Sequence, residues 1–393
     1  MVVLGTRPEA IKLAPVIHRL YKQADHFETV IVATAQHREL LDQVLDLFKI
    51  QPDIDLNLMH CQQGLIALTG RILEKVSAVM SQEKPDIVLV HGDTTTAFAS
   101  ALAAFYEQIP IGHVEAGLRS YNNYSPFPEE MNRRLTTVMT DIHFAPTPFT
   151  RDALLNEGVA KEKIVVTGNT VVDALMHILT LPHTFSESLL ENVTLDGKRL
   201  ILVTSHRRES WGAELQNICE AVKELTQRHS DVVAIYPVHP NPIVKETAAR
   251  VLGNTDRVHL INPLDYVNFI NLMKKSYILL TDSGGLQEEA PTLKKPLLLM
   301  RNITERPEAF EAGLAKIVGT DRETIVREAD ILLNDEVAYA AMTHIENPYG
   351  DGHAADRIVS ALIRWSEGKK SLIPPFEEFD PNSTGFDKKC QKL

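Results

Sequence analysis

The sequence predicts an α/β protein built on doubly wound parallel sheets, and two observations carry that prediction. Short β-branched runs recur from end to end: "TVIVA", "DIVLV", "IPIGHV", "KIVVTG", "LILVTS", "VVAIYPV", "YILLTD" and "PLLLM". Continuous apolar runs of this kind mark strands buried on both faces. Between them lie amphipathic stretches, such as residues 9–24, with the length and spacing of crossover helices. At 393 residues, 44% hydrophobic and 23% charged, the chain is long enough for two domains with separate cores.

The formal charge of -12 argues against nucleic acid or an anionic membrane as partner, since both favour a basic surface. Cys61, Cys219 and Cys390 form no CxxC pair, so neither a zinc site nor a disulfide framework is expected. No early apolar run carries the flanks of a signal peptide, and none approaches the ~18 residues that span a bilayer. The chain therefore reads as cytoplasmic, and the Asn-x-Thr match at 192–194 as chance.

The first strand, Val2–Leu4, is short for a core strand, which suggests that a residue or more has been lost before it. "GTRPEAIK" follows: Thr6 can cap a helix, Pro8 suits its first turn and Glu9 complements its dipole. Arg7 and Lys12 are not explained by capping and put two cations near a helix start that already favours phosphate. Asp93, in "DIVLVHGDTTT", and Glu115, which closes an apolar strand just after His113, stand at strand ends. In open parallel sheets ligands bind at those ends. Asp93 alone could be a helix N-cap. Glu129 opens a helix after a Tyr/Pro-rich loop, with Arg133 one turn later.

Periodicity weakens over residues 176–198, where turn formers mix with polar residues, and fresh strands begin at Leu200. The expected organisation is a first domain over 1–175, a linker over 176–198 and a second domain over 199–350. A helix over 351–367 is expected to pack across the junction, and a polar tail over 368–393 to be disordered. His206 follows the strand "LILVTS", and its simplest reading is a histidine bonded to nearby backbone. In "TDSGGLQEEA" a strand over 277–281 leads to a turn of Ser283, Gly284 and Gly285, with Glu288 and Glu289 opening a helix. The glycines could serve the turn or let backbone amides approach a phosphate. The acids favour a nucleotide, since a carboxylate so placed can accept both hydroxyls of a ribose. "GDGHAA" at 350–355 matches the GxGxxA dinucleotide string, but no strand precedes it and a nicotinamide site is rejected. No HExxH, Walker A or GxSxG string is present.

Taken together, "GTRPEAIK", "TAQHRELLDQV", "LVHGDTTT", "GHVEAGLR", "YSPFPEEMNR", "TGNTVVDAL", "HRRES", "YPVHPNP", "LTDSGGLQEEAP", "TERPEA" and "NPYGDG" resemble one family, the non-hydrolysing bacterial UDP-N-acetylglucosamine 2-epimerases. The matches run in family order over essentially everything before the tail. The resemblance implies a GT-B fold, two Rossmann-like domains with an active-site cleft between them, and a homodimer. It implies reversible conversion of UDP-N-acetylglucosamine to UDP-N-acetylmannosamine for cell-surface polysaccharide, with no redox cofactor and no metal. Asp93, Glu115, Glu129, Arg133 and His206 fall on the family's catalytic positions. Arg7, Lys12, Ser283, Gly284, Gly285, Glu289 and Arg306 fall on positions that hold UDP, with Phe269 near the uracil. Members activated by a second substrate molecule carry Gln-His-Arg-Gln and a downstream arginine. Here Gln36, His37, Arg38 and Glu39 are followed by Gln62 in the arginine's place, which argues against that activation. The competing readings are a hydrolysing epimerase, a GT-B glycosyltransferase and a silent nucleotide-sugar sensor.

Overall fold

The computed structural model describes residues 1–34, 38–58, 64–185, 195, 197–207, 210–302, 304 and 306–382, without the side chains of 38 and 39. The chain divides into two compact units, Met1–Ala174 with Tyr349–Leu393, and Leu175–Pro348. The first runs β1 (Val2–Leu4), α1 (Arg7–Tyr21), β2 (Ile31–Ala33), α2 (Arg38–Leu47), β3 (Ile54–Asp55), α3 (Leu65–Glu83), β4 (Val88–His91), α4 (Thr95–Tyr106), β5 (Ile111–Val114), α5 (Glu129–Met139), β6 (Ile142–Ala145), α6 (Pro148–Asn156) and β7 (Ile164–Val166). Helix α7 (Thr170–Thr180) begins in this unit and ends in the other.

The second unit continues with β8 (Arg199–Thr204), α8 (Ala213–Arg228), β9 (Val232–Pro237), α9 (Pro242–Leu252), β10 (Val258–Ile261), α10 (Tyr266–Lys275), β11 (Ile278–Thr281), α11 (Leu286–Glu289), β12 (Leu297–Leu299), α12 (Glu308–Glu311), β13 (Ala315–Ile317), α13 (Arg322–Asn334) and α14 (Glu336–Thr343). The chain then returns to the first unit as α15 (Ala354–Ser366), where Asp356 pairs with Arg19 of α1 at 2.7 Å.

The two sheets have the orders β3-β2-β1-β4-β5-β6-β7 and β10-β9-β8-β11-β12-β13, and the pairings are parallel. Both are Rossmann orders, so strand order reverses once in each sheet: between β1 and β4, and between β8 and β11. At such a point the flanking loops part and leave a crevice at the strand ends. The residues of β1, β2, β4, β5 and β6 are all buried, as expected of strands covered by helices on both faces. Val3, Val32, Val90 and Ile111 pack with Ile72 and Val76 of α3 and with the alanines of α4. In the second unit Ile201, Val203, Ala234, Ile278 and Leu280 form the corresponding core with α8, α9 and α13.

Among the described residues no helix is long and apolar enough to cross a membrane. The string at 350–355 follows α14 rather than a strand, and a Cβ on Gly350 would meet Val172 Cγ2 at 3.1 Å. The expectation of a disordered tail fails over 368–382. There Leu372, Ile373 and Phe379 are buried, Phe379 N donates to Val166 O, and Arg357 Nε donates to Glu377 O. A few apolar anchors suffice to fix a segment whose average composition is polar. Residues 383–393 lie outside the described set.

Candidate active site

The loop after β1 is tied down before any ligand is considered. Thr6 caps α1 and its side chain accepts from Glu9 N, while Glu9 Oε2 accepts from Gly5 N at 2.9 Å and Thr6 N at 2.7 Å. The other oxygen of Glu9 accepts from Thr94 Oγ1 at 2.5 Å, and Thr94 caps α4. One buried carboxylate thus joins the N-termini of the helices that follow β1 and β4. Burial pushes its pKa up, and these hydrogen bonds oppose the shift. Because Thr94 is the cap, the reading of Asp93 as an N-cap is corrected, and its carboxylate pairs instead with Arg133. Arg133 also lies 3.3 Å from Glu130, which is fully buried and accepts from Ser120 N and Tyr121 N. Glu129 is the half-buried first residue of α5.

Glu115 leaves β5 with φ 64, a left-handed conformation that disfavours any residue with a Cβ. Two residues on, Gly117 has φ 97, and a Cβ there would strike Thr150 O at 2.2 Å. The Glu115 carboxylate is held by an ion pair with Lys12 of α1 and by Asn169 Nδ2 at 2.9 Å, with His91 Nε2 at 3.7 Å. Asn169, 2% exposed, is itself fixed: its N–H donates to Tyr349 O and its Oδ1 accepts from Val171 N. Lys12 and Glu115, 103 residues apart, and Asp93 and Arg133, 40 apart, are therefore brought together as ion pairs. Arg7, half-buried, opens α1 at the end of β1. Below them lie two buried neutral imidazoles. Burial lowers His113 to about 4, although its Nε2 meets Gly92 O at 2.7 Å, and lowers His143 to about 3.

In the second unit the carboxylate at the reversal point is Asp282, immediately after β11 and fully buried. Its Oδ2 accepts from Ser205 Oγ at 3.0 Å, His206 N at 2.8 Å and Arg207 N at 2.9 Å, which shapes the loop after β8. The His206 ring, 40% exposed, puts Nδ1 3.3 Å from Asp282 Oδ1 and stacks on His239 with centroids 5.7 Å apart. Asp282, 76 residues away in the sequence, thus meets both the backbone N–H and the ring of His206. Ser283 N donates to Thr281 Oγ1, and Gly285 has φ -63 with nothing within 4 Å of a built Cβ. Neither backbone angle nor packing requires glycine at 285. Glu288, 1% exposed, accepts from Arg306 Nε at 2.6 Å, and Tyr266 OH donates to Glu289 Oε1 at 2.8 Å. Phe269 is half-buried on α10, three residues past Tyr266.

The residues singled out in the sequence fall into two sets by unit. Arg7, Lys12, Asp93, Glu115, Glu129 and Arg133 belong to the first; His206, Phe269, Ser283, Gly284, Gly285, Glu289 and Arg306 belong to the second. Sequence reasoning passed over Asn169, His91, Glu130 and Asp282. Only Asp282 had a signal, its place as the first polar residue after an apolar strand. Gln36, His37 and Gln62 lie outside the described residues, as does the side chain of Glu39. Among the described residues no group of three or more His, Cys, Asp or Glu is arranged to hold a metal ion.

Two Rossmann-like parallel-sheet units, each with a held carboxylate at its point of strand-order reversal, define a class, the two-domain α/β proteins. The chain matches the family model for UDP-N-acetylglucosamine 2-epimerase over residues 19–363. It is 52% identical over 367 residues to the UDP-N-acetylglucosamine 2-epimerase of Escherichia coli K12, covering 92% of this chain and 97% of that one. The UDP-GlcNAc 2-epimerase of Neisseria meningitidis, solved bound to UDP-GlcNAc, superimposes with a TM-score of 0.86 at 48% identity, covering 92% of this chain and 99% of that one. MnaA of S. aureus, solved with UDP, gives 0.85 at 48% identity, with 95% and 97% covered. The chain belongs to the UDP-N-acetylglucosamine 2-epimerase family, and its fold is GT-B-like.

Proposed function

We propose that the protein interconverts UDP-N-acetylglucosamine and UDP-N-acetylmannosamine by the non-hydrolysing route, supplying N-acetylmannosamine units for cell-surface polysaccharide as a cytoplasmic homodimer. The observation that carries this reading is the pair of carboxylates Asp93 and Glu115 at neighbouring strand ends, each held by a cation from a different helix. Family membership supports the substrate, since relatives were solved with UDP and with UDP-GlcNAc.

The chemistry asks for acid/base groups at C2 and for positive charge at the departing diphosphate. A carboxylate takes the C2 proton, the C–H electrons form the C1–C2 double bond, and the C1–O electrons leave with UDP, giving 2-acetamidoglucal by anti elimination. Re-addition of the UDP oxygen to C1, with protonation of C2 on the opposite face, inverts that centre. Asp93, Glu115 and Glu129 supply the acid/base groups, and Arg133 orients Asp93. Arg7, Lys12, Arg306 and the turn of Ser283, Gly284 and Gly285 attend the diphosphate, and His206 donates to it. Glu289, steadied by Tyr266, accepts from the ribose, and Phe269 lies by the uracil. No nicotinamide or metal enters these steps.

Proton NMR of UDP-N-acetylglucosamine with the protein in D2O tests the reading. The expected result is the manno epimer with solvent deuterium at C2. Free N-acetylmannosamine and UDP would instead indicate a hydrolysing enzyme, sugar transfer to an added acceptor a transferase, and binding without turnover a sensor.

A further inference from the structure

Asp282 and His206 form a unit that the reaction scheme leaves unused on one side. The Asp282 carboxylate is fully buried, and its Oδ2 is saturated by Ser205 Oγ, His206 N and Arg207 N. Its Oδ1 has no hydrogen bond among the described residues, and the group facing it is His206 Nδ1 at 3.3 Å. A buried carboxylate oxygen without a donor is costly. The half-exposed imidazole beside it can turn to supply one.

We propose that Asp282 is a positioning residue that holds the His206 imidazole with Nδ1–H directed at its Oδ1, so that Nε2 is presented outward. Two consequences follow for chemistry at a phosphate. The ring orientation is fixed from behind, as when a carboxylate sets the tautomer of a working histidine. Nε2 is also left facing outward, where a doubly protonated ring offers an N–H to an anionic oxygen and a neutral Nδ1–H ring a lone pair. The same Oδ2 fixes the backbone on either side of the ring through the N–H groups of His206 and Arg207. One buried acid therefore determines both where His206 stands and which nitrogen it offers.

This assignment rests on the reading of His206 as the group that meets the leaving diphosphate, and two measurements separate the failure of one from the failure of the other. The first uses the parent protein without substrate. With ¹⁵N-labelled histidine, the long-range ¹H–¹⁵N pattern of His206, identified by its loss in His206→Gln, is recorded at pH 8. A ring carrying its proton on Nδ1, or on both nitrogens, is expected, and a predominant Nε2–H tautomer overturns the proposal whatever the activity. The second is a double-mutant cycle on kcat/KM. Asp282→Asn is expected to cost ~10²-fold in the parent, below the ~10⁴-fold seen when the carboxylate of a Ser-His-Asp triad becomes an amide. In a His206→Gln background the same change is expected to cost less than ~3-fold. Equal losses in both backgrounds would make Asp282 merely structural and overturn the assignment. Absence of epimerase turnover in the parent would instead count against the function, while the tautomer measurement still stood.

Discussion

Glu115 concentrates features that structure alone does not require: a left-handed backbone, a nearly buried carboxylate and an ion pair reached over 103 residues. Strained backbone of this kind gathers at functional sites. Replacing Glu115 with Gln is expected to lower kcat by ~10²-fold or more with UDP affinity largely kept, and near-parental turnover would return Glu115 to a packing role. Lys12→Met removes the ion pair that Lys12 makes with the nearly buried Glu115 carboxylate and is expected to cost ~3–5 kcal/mol in urea unfolding. Gly285→Ala makes the opposite separation. The site has room for a methyl group and an ordinary φ, so stability should stay within ~0.5 kcal/mol, while calorimetry should show UDP binding at least ~10-fold weaker. Unchanged UDP affinity would mean that no phosphate approaches that backbone. Asp93, Glu115 and His206 were legible because an apolar run announces its own end. Asp282 carried the same strand-end signal, but its pairing with His206, 76 positions away, and that of Asn169 with Glu115, 54 away, were not legible, since no local pattern records such a pairing.

At the scale of elements, Glu9 is the joint between α1 and α4. Glu9→Ala removes the acceptor of two buried backbone N–H groups and of Thr94, and is expected to cost ~2–4 kcal/mol, the sum of a lost cap and orphaned donors; a loss below ~1 kcal/mol would show that water replaces it. The sequence disclosed the cap but not the bond to Thr94. Asp173 of α7 does similar work for α15, accepting from Ala354 N and Ala355 N. Burial raises its pKa from 3.8 to about 7, with the backbone donors opposing and Asp351 and Asp356 reinforcing the shift. The folded state therefore holds a proton that the unfolded chain releases between those values, and stability is lost as pH rises through about 7. Melting temperatures of Asp173→Asn and the parent should diverge in the variant's favour from pH 4 to 8; a constant difference would show that Asp173 ionises freely. Strands and helices were readable from apolar runs and amphipathic spacing. The ordered stretch at 368–382 was not, because Leu372, Ile373 and Phe379 are thinly spread among polar residues.

For the molecule as a whole, the buried imidazoles set an acid limit of opposite sign. His113 and His143 stay neutral in the fold down to about 4 and about 3, while the unfolded chain protonates them from 6.5 downward. Their contribution is present above 6.5 and is lost as pH falls through that window. His143→Phe should flatten the decline in melting temperature between pH 6.5 and 4, and a slope equal to the parent's would place the acid sensitivity elsewhere. Doubly wound topology was foreseeable from alternating strand and helix signals, since parallel strands demand crossovers and crossovers have one hand. The return of the chain through α15 has a consequence for how the protein is made. A ribosome synthesises all of Leu175–Pro348 before it reaches the segment that covers α1. The second unit is free to mature on the nascent chain while the first still waits for its closing helix. Chains stalled with residue 348 just outside the exit tunnel and α15 still within it should accordingly show a protease-resistant second unit beside a first unit that is cut readily, and resistance would spread to both only once α15 clears the tunnel.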